Sequence, residues 1–149
     1  MPEFLTSVSL NAPQQQVFDF LLRPENVLKV SPPDIGLQFV QAPELIRLGS
    51  VIEFKIQAWG QVQVFLHEIT ELIDPSRIVE RQVKGLFKQW IHEHTLSTDA
   101  EGNTLVTDRI MFEPPGGLVG MLLTKNRILD HLEDGYFHRH QKMKKLLEG

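Results

Sequence analysis

The sequence contains no cysteine among its 149 residues. The absence of thiols excludes disulfide bonds, thiolate catalysis and cysteine-based zinc sites, and it is compatible with the cytoplasm, where we expect the protein to reside. Apolar runs long enough to cross a bilayer are also missing, and the segment Met1–Leu10 lacks the basic flank of a signal peptide. We therefore expect neither a transmembrane segment nor a signal peptide.

Positive charge is also scarce, with 15 Lys and Arg against 19 Asp and Glu, a net charge of -4 and a pI near 5.8. Nucleic-acid binding normally needs a basic face, so we expect no nucleic-acid partner. The one dense basic run, Lys142, Lys144 and Lys145, ends the last predicted helix, where it complements the helix dipole. No glycine-rich phosphate loop precedes a predicted helix, which argues against a nucleotide site. The sequence also has no G-x-S-x-G nucleophile elbow.

The remaining sequence predicts a single domain, residues 1–149, of the α+β class. A strand is followed by two short helices that start near Pro13 and Pro24, and then by segments with a period of two. Because the connections between these segments are short, they predict about seven strands in antiparallel order. The predicted strands are Phe4–Leu10, Gly36–Val40, Ser50–Ala58, Gln61–Ile73, Arg77–Val83, Lys88–Ser97 and Thr104–Phe112.

One long helix is predicted after Pro114-Pro115-Gly116-Gly117. Its apolar stripe must pack against the sheet, and a curved sheet around one helix leaves room for a cavity. Gly135 lies within this helix, where it reflects either a tolerated cost or close contact or, alternatively, a bend that shapes a pocket wall. The stripe consists of Leu118, Leu122, Leu129, Leu132, Tyr136, Met143 and Leu147.

Two neighbouring strands carry polar residues on their predicted inner faces. The loop Asp99–Asn103 suits a three-residue hairpin turn with Gly102 in the left-handed region. Counting back from this turn places His94 opposite Asp108, His92 opposite Ile110 and Trp90 opposite Phe112. We therefore predict a His94–Asp108 pair inside an otherwise apolar cavity, where a buried carboxylate raises the proton affinity of its histidine.

Three interpretations of this polar cluster compete. It can be a mutually satisfied polar pair in the core, as buried polar groups require. It can anchor the polar end of a mostly apolar ligand. It can also be an acid–base centre or a metal site, with Asp108 or His67 as the third ligand beside His92 and His94. Because two histidines do not make a closed ligand set, we expect no metal and no other cofactor.

Other segments leave more than one interpretation open. Glu80 and Arg81 lie on opposite faces of their strand, and Gly85-Leu86-Phe87 allows more than one hairpin, so the inward residue is undetermined. The segment Gly116–Leu123 is either a helix start that packs down or a flexible lip over the cavity. Trp59 is predicted to be a rim or turn aromatic. His138 and His140 are predicted to lie on a partly exposed helix face, with ligand contact as the alternative.

The order of elements resembles the START/Bet v 1-like (SRPBCC, helix-grip) superfamily over essentially the whole chain. The segment Gly85-Leu86-Phe87-Lys88-Gln89-Trp90-Ile91-His92-Glu93-His94 is similar to the bacterial polyketide cyclase/dehydrase-like subgroup, which shows a turn followed by Trp-x-His-x-His. Leu86 replaces the proline that is usual in that turn. The resemblance implies a hydrophobic cavity between sheet and long helix, and relatives that bind lipids, sterols, quinones, polyketides or plant hormones.

We therefore expect a protein that binds a small apolar molecule such as a lipid, quinone or polyketide, without catalysis, as a monomer or homodimer. An aromatase/cyclase- or dehydratase-type enzyme with His94 as general base, held by Asp108, is the alternative. A module that docks a protein partner is a third hypothesis. The candidate ligand-binding residues are Phe54, Phe65, Trp90, His92, His94, Asp108, Ile110, Phe112, Leu129 and Leu132.

Overall fold

The computed structural model describes residues 1–58 and 60–148, so that Trp59 lies outside the described residues. These residues form a seven-stranded sheet and a set of helices. The strands are β1 (Glu3–Leu10), β2 (Gln38–Gln41), β3 (Val51–Ala58), β4 (Gln61–Ile73), β5 (Arg77–Lys84), β6 (Gln89–Thr98) and β7 (Thr104–Glu113). The helices are α1 (Gln14–Leu21), α2 (Pro24–Val30), α3 (Gly117–Leu122) and α4 (Lys125–Leu147), and Pro33–Ile35 forms a 3-10 turn.

The sheet has the order β1-β7-β6-β5-β4-β3-β2, and every neighbouring pair is antiparallel. Strands β2 to β7 follow one another as hairpins, because their short connections permit no crossover. The N-terminal β1 lies at the other edge of the sheet, where it pairs with β7. The predicted α+β fold, with two short helices after the first strand and a long C-terminal helix, is confirmed.

The hairpin of β6 and β7 has the predicted register. Asp99 N–H donates to the Asn103 carbonyl oxygen at 2.9 Å, and Gly102 has φ 84, in the left-handed region that suits glycine. His94 is opposite Asp108, His92 is opposite Ile110, and Trp90 is opposite Phe112. The alternation of the two strands therefore turns both imidazoles and the carboxylate toward the same buried face.

The C-terminal helix differs from the prediction at its start. The helical pattern is divided in two, because α3 ends at Leu122 and Thr124 begins α4 as an N-cap whose hydroxyl accepts from the Arg127 N–H. Leu118 and Leu122, predicted as the first members of the buried stripe, are instead 80% and 71% exposed. The buried stripe starts at Ile128 and continues through Tyr136, Met143 and Leu147.

Two core clusters hold α4 and the short helices against the sheet. One contains Leu10 and Phe18 with Met143 from α4, and the other contains Phe112 with Ile128 from α4. The second cluster also includes Tyr136 at the middle of α4. Beside it, between the helix and the sheet, a cavity remains that Tyr136 and Arg139 line. Among the described residues, no helix is both long and apolar enough to cross a membrane.

Candidate functional site

A cavity of about 260 Å³ lies between the sheet, α2 and the middle of α4. A second cavity of about 200 Å³ adjoins it and shares Phe54, His67, Trp90 and Tyr136 as lining residues. Most of the wall is aliphatic or aromatic, as expected for a pocket that takes an apolar molecule. The aliphatic lining of the larger cavity includes Leu21, Val27, Ile35, Leu37, Ile46, Ile52, Ile56, Ile69, Ile78, Ile110 and Leu132.

The structure brings most of the sequence-derived candidate residues to these cavities. Those that line one or both are Phe54, Phe65, Trp90, His92, His94, Ile110 and Leu132. Asp108 is fully buried behind the two imidazoles and contacts the cavity only through them. Phe112 and Leu129 pack in the core cluster beside the cavity and do not line it.

The centre of the site is a four-residue cluster made by three adjacent strands. Glu80 on β5 is directly opposite His92 on β6, and His94 on β6 is directly opposite Asp108 on β7. The imidazole rings of His92 and His94 lie 3.8 Å apart between their centroids. The register of the hairpins therefore places two imidazoles side by side with a carboxylate on either side.

Asp108 contacts both imidazoles with one oxygen. His92 Nε2 lies 2.8 Å from Asp108 Oδ1 in a hydrogen bond, and His94 Nδ1 lies 2.7 Å from the same oxygen as an ion pair without hydrogen-bond alignment. The opposite nitrogens, His92 Nδ1 and His94 Nε2, each lie 3.5 Å from Glu80 Oε1. Each ring thus has one nitrogen toward Asp108 and the other toward Glu80.

Glu80 is the functional residue whose inward position the sequence did not determine. Its Oε2 lies 3.0 Å from His67 Nδ1 on β4, so the carboxylate also connects β4 to the cluster. Two register shifts between β4 and β5, at Leu66/His67 and Ile69/Glu71, set this alignment. Such bulges re-aim side chains at functional sites, and the turn after β5 gives no sign of them in the sequence.

The helix α4 adds two polar side chains that sequence reasoning did not assign. Tyr136 Oη lies 2.9 Å from His92 Nε2, which places the phenol in the same network. Arg139 lines both cavities, and its guanidinium carbon lies 5.4 Å from the centroid of the Tyr136 ring, within cation–π range. The sequence sign for Arg139 was its position three residues after Tyr136 of the apolar stripe, because residues three apart lie on the same face of a helix.

The cluster is strongly charged. Burial alone lowers the pKa of His94, but the charge of Asp108 and contacts with Asp108 and Glu80 raise it to about 9. Burial alone raises the pKa of Asp108, but the charge of His94 and contacts with both imidazoles hold it well below 3.8. Against burial, contacts with His67, His92 and His94 likewise hold the pKa of Glu80 well below its usual range. At neutral pH both carboxylates are therefore ionised and His94 is protonated.

The chain is similar over nearly its full length to several solved structures. Protein CV1439 from Chromobacterium violaceum has 17% sequence identity and a TM-score of 0.76, covering 99% of this chain and 98% of that chain. TTHA0849 from Thermus thermophilus has 19% sequence identity and a TM-score of 0.70, covering 95% of this chain and 96% of that chain. The ginseng major latex-like protein 151 from Panax ginseng has 17% sequence identity and a TM-score of 0.72, covering 99% of this chain and 97% of that chain.

No family model and no curated protein matches the chain. The structural likeness holds for proteins from two bacteria and a plant, and it covers most of the length of each. At these identities, likeness in structure establishes the fold and leaves the activity to be argued from the site. The chain has a helix-grip fold, with a seven-stranded antiparallel sheet around a long C-terminal helix.

Proposed function

We propose that the protein binds a small, mainly apolar molecule with an anionic end, of the fatty-acid or polyketide type, between the sheet and α4. The observation that carries the proposal is the position of Arg139 at the cavity wall without an ion-pair partner among the described residues. Arg139 lines both cavities, its Nε is buried without a hydrogen-bond partner, and none of the described carboxylates lies within ion-pair distance of it. Against the effect of burial, Asp108 and Glu80 raise the pKa of Arg139, but they act on its charge only from beyond ion-pair distance. An anionic ligand group would give this cation the direct partner that it lacks.

The aliphatic wall supports the apolar part of the ligand. Each buried methylene group contributes about 0.8 kcal/mol when it leaves water, so a chain of several carbons gives useful affinity. The aromatic side chains offer flat contact surfaces, with Phe54 and Phe65 stacked at 5.3 Å and Phe87 and Trp90 stacked at 4.7 Å. The anchor expected from the sequence, His92, His94 and Asp108, lies on the sheet side of the cavity, and Arg139 adds a cation from the helix side.

A pair of matched probes tests the proposal. Decanoate and 1-decanol have the same chain, but only decanoate carries a charge. Binding is followed by the fluorescence of Trp90, made the single tryptophan of the chain by Trp59→Phe, after treatment of the protein with EDTA. We expect saturable binding of both probes, with decanoate bound more tightly. Absence of saturable binding of either probe would refute the proposed function.

The role of Arg139 is tested with Arg139→Gln. We expect this variant to weaken decanoate binding at least about tenfold, equivalent to about 1.4 kcal/mol, and to leave 1-decanol binding within a factor of about two. Lys145→Gln, which removes an exposed charge from the same helix, is the control and should change neither affinity. Equal weakening for both probes in Arg139→Gln would show that Arg139 shapes the pocket without binding the anionic end.

An acid–base enzyme of the aromatase/cyclase or dehydratase type is the second candidate, favoured by Tyr136, His92 and Asp108 standing in hydrogen-bond contact beside the cavity. His94 cannot serve as a general base at neutral pH in this arrangement, because its pKa is raised to about 9. Turnover that depends on His94 as a base must therefore rise with pH up to about that value. A rate on a β-hydroxyketone probe that falls over this range would remove His94 from the role of base.

A further inference from the structure

The polar cluster has a second property that ligand binding does not require. Glu80, His92 and His94 lie together at the cavity wall, where each offers one donor atom and the three atoms lie within 4.8 Å of one another. A carboxylate oxygen and two imidazole nitrogens are donors preferred by divalent first-row transition metals, and an ion bound here displaces the second ring proton of His94. The three residues come from two adjacent strands, which hold the donors on a rigid sheet.

The separations match those of metal ligands better than those of hydrogen bonds. Glu80 Oε1 lies 3.5 Å from His92 Nδ1 and 3.5 Å from His94 Nε2, beyond the usual hydrogen-bond length. Two donors bound at about 2.1 Å to one ion at the tetrahedral angle lie about 3.4 Å apart. An ion between these atoms therefore needs no displacement of the carboxylate away from the imidazoles.

The surrounding residues are arranged as a second coordination shell. Metal-binding histidines usually present their other ring nitrogen to a carboxylate, which fixes the orientation of the ring. Asp108 Oδ1 does this for both rings, at 2.8 Å from His92 Nε2 and 2.7 Å from His94 Nδ1. His67 Nδ1 holds the other oxygen of Glu80 at 3.0 Å. Asp108 therefore fixes the orientation of both imidazole donors, and His67 fixes that of the carboxylate donor.

We propose that Glu80, His92 and His94 bind one divalent first-row transition-metal ion at the wall of the cavity. Three protein donors leave at least one coordination position open, and the cavity of about 260 Å³ lies on that side. The open position takes an oxygen donor of the bound molecule, and Arg139 lines the same cavity. This last role rests on the proposed function, whereas the affinity for the ion does not.

Cobalt provides the first test, because Co²⁺ in a site of low coordination number absorbs visible light. EDTA-treated protein is titrated with CoCl₂. We expect one Co²⁺ per chain, with visible bands that Zn²⁺ abolishes by displacement. Glu80→Gln and His92→Asn should abolish the bands, and Asp108→Asn should weaken Co²⁺ binding about 10–100-fold. Titration without visible bands, or bands that persist in both ligand variants, would overturn the proposal.

Two controls exclude binding elsewhere on the chain. Glu68→Gln makes the same chemical change on β4, and His131→Asn removes an exposed imidazole of α4. Both should retain the wild-type Co²⁺ spectrum and affinity. Loss of the spectrum in His131→Asn together with its retention in His92→Asn would place the ion on the helix surface and refute the proposed site.

Nuclear magnetic resonance of the wild-type protein keeps the test independent of whether a variant folds. With Zn²⁺ we expect the imidazole resonances of His92 and His94 to shift and those of His131 and His138 to stay in place. Unshifted His92 and His94 resonances at saturating Zn²⁺ would overturn the proposal. The decanoate titration separates the two hypotheses. Co²⁺ binding without decanoate binding refutes only the ligand-binding function. Decanoate binding without Co²⁺ binding refutes only the metal site.

Discussion

Asp108 is fully buried, yet it remains charged because two imidazoles face one of its oxygens. An ionised carboxylate without such partners would take up a proton in this environment. Truncating one member of a buried pair leaves the other charge uncompensated and costs about 3–5 kcal/mol. Asp108, His92 and His94 therefore depend on each other, and a change at one of them is felt at the others.

This dependence predicts a decline of stability at alkaline pH. The pKa of His94 is about 9 in the folded chain against 6.5 as its ordinary value, so the stabilisation is complete below pH 6.5 and is lost as the pH rises through 9. We expect the free energy of unfolding of EDTA-treated protein, measured in urea, to fall by roughly 3 kcal/mol at most over this range.

The comparison is with Asp108→Asn, which removes the charge that raises the pKa of His94. Its stability should be lower than that of the wild type and nearly flat from pH 6.5 to 9. Asp108 itself adds no slope there, because its folded pKa lies well below 3.8 and its contribution is lost only as the pH falls through that lower value. A wild-type stability that is constant between pH 6.5 and 9 would contradict the expectation.

The pairing of His94 with Asp108 could be predicted because one tight turn lies between their strands. The left-handed glycine at Gly102 fixes that turn, and a period of two then determines every pair along the hairpin. Glu80 could not be predicted in the same way, because bulges shift the register between β4 and β5. Arg139 depended on how α4 is rotated against the sheet, which is decided by packing of the whole helix.

At the scale of elements, α4 combines a strong apolar stripe with one weak point, Gly135. A Cβ atom built at this position meets nothing within 4 Å, so the space beside it is open. The glycine also lines the smaller cavity. Of the alternatives that the sequence left open at Gly135, the open space excludes a close packing contact. The glycine leaves volume in the cavity wall at the cost of helix stability.

Gly135→Ala should accordingly stabilise the protein by about 0.5–1 kcal/mol, because alanine favours the helix and its methyl group enters open space. Urea unfolding measures the change. Gly120→Ala in α3 provides the contrast, since a Cβ there would collide with the carbonyl oxygen of Pro115 and should destabilise that segment. Destabilisation by Gly135→Ala would show that the helix needs the glycine.

The strands were predictable because their alternation and hairpin connections are local, whereas the division of the last helix was not. The apolar positions Leu118 and Leu122 continue the spacing of the later stripe, and spacing alone predicted one helix. The N-cap at Thr124 interrupts it, and Leu123 turns inward to a buried position while α3 stays exposed. A threonine three residues before Arg127 was the available sign of a helix start.

At the scale of the molecule, two core clusters pack α4 against the sheet and leave a cavity beneath its middle. A folded protein with unfilled apolar space loses packing contacts that a ligand restores. Under the proposed function, a molecule with an apolar chain and an anionic end fills this space and meets Arg139 at its wall. Stability and ligand occupancy should be linked quantitatively.

This linkage gives the last prediction. Free decanoate at about 100 times its dissociation constant should raise the free energy of unfolding by about 2.7 kcal/mol. For a chain of this size the melting temperature should then rise by about 5–10 °C. Gly135→Leu should abolish the rise, because its side chain extends into the open space beside the helix. Glu133→Leu places the same side chain on an exposed position of α4 and should keep the rise. Equal stabilisation of both variants would mean that decanoate binds outside the cavity.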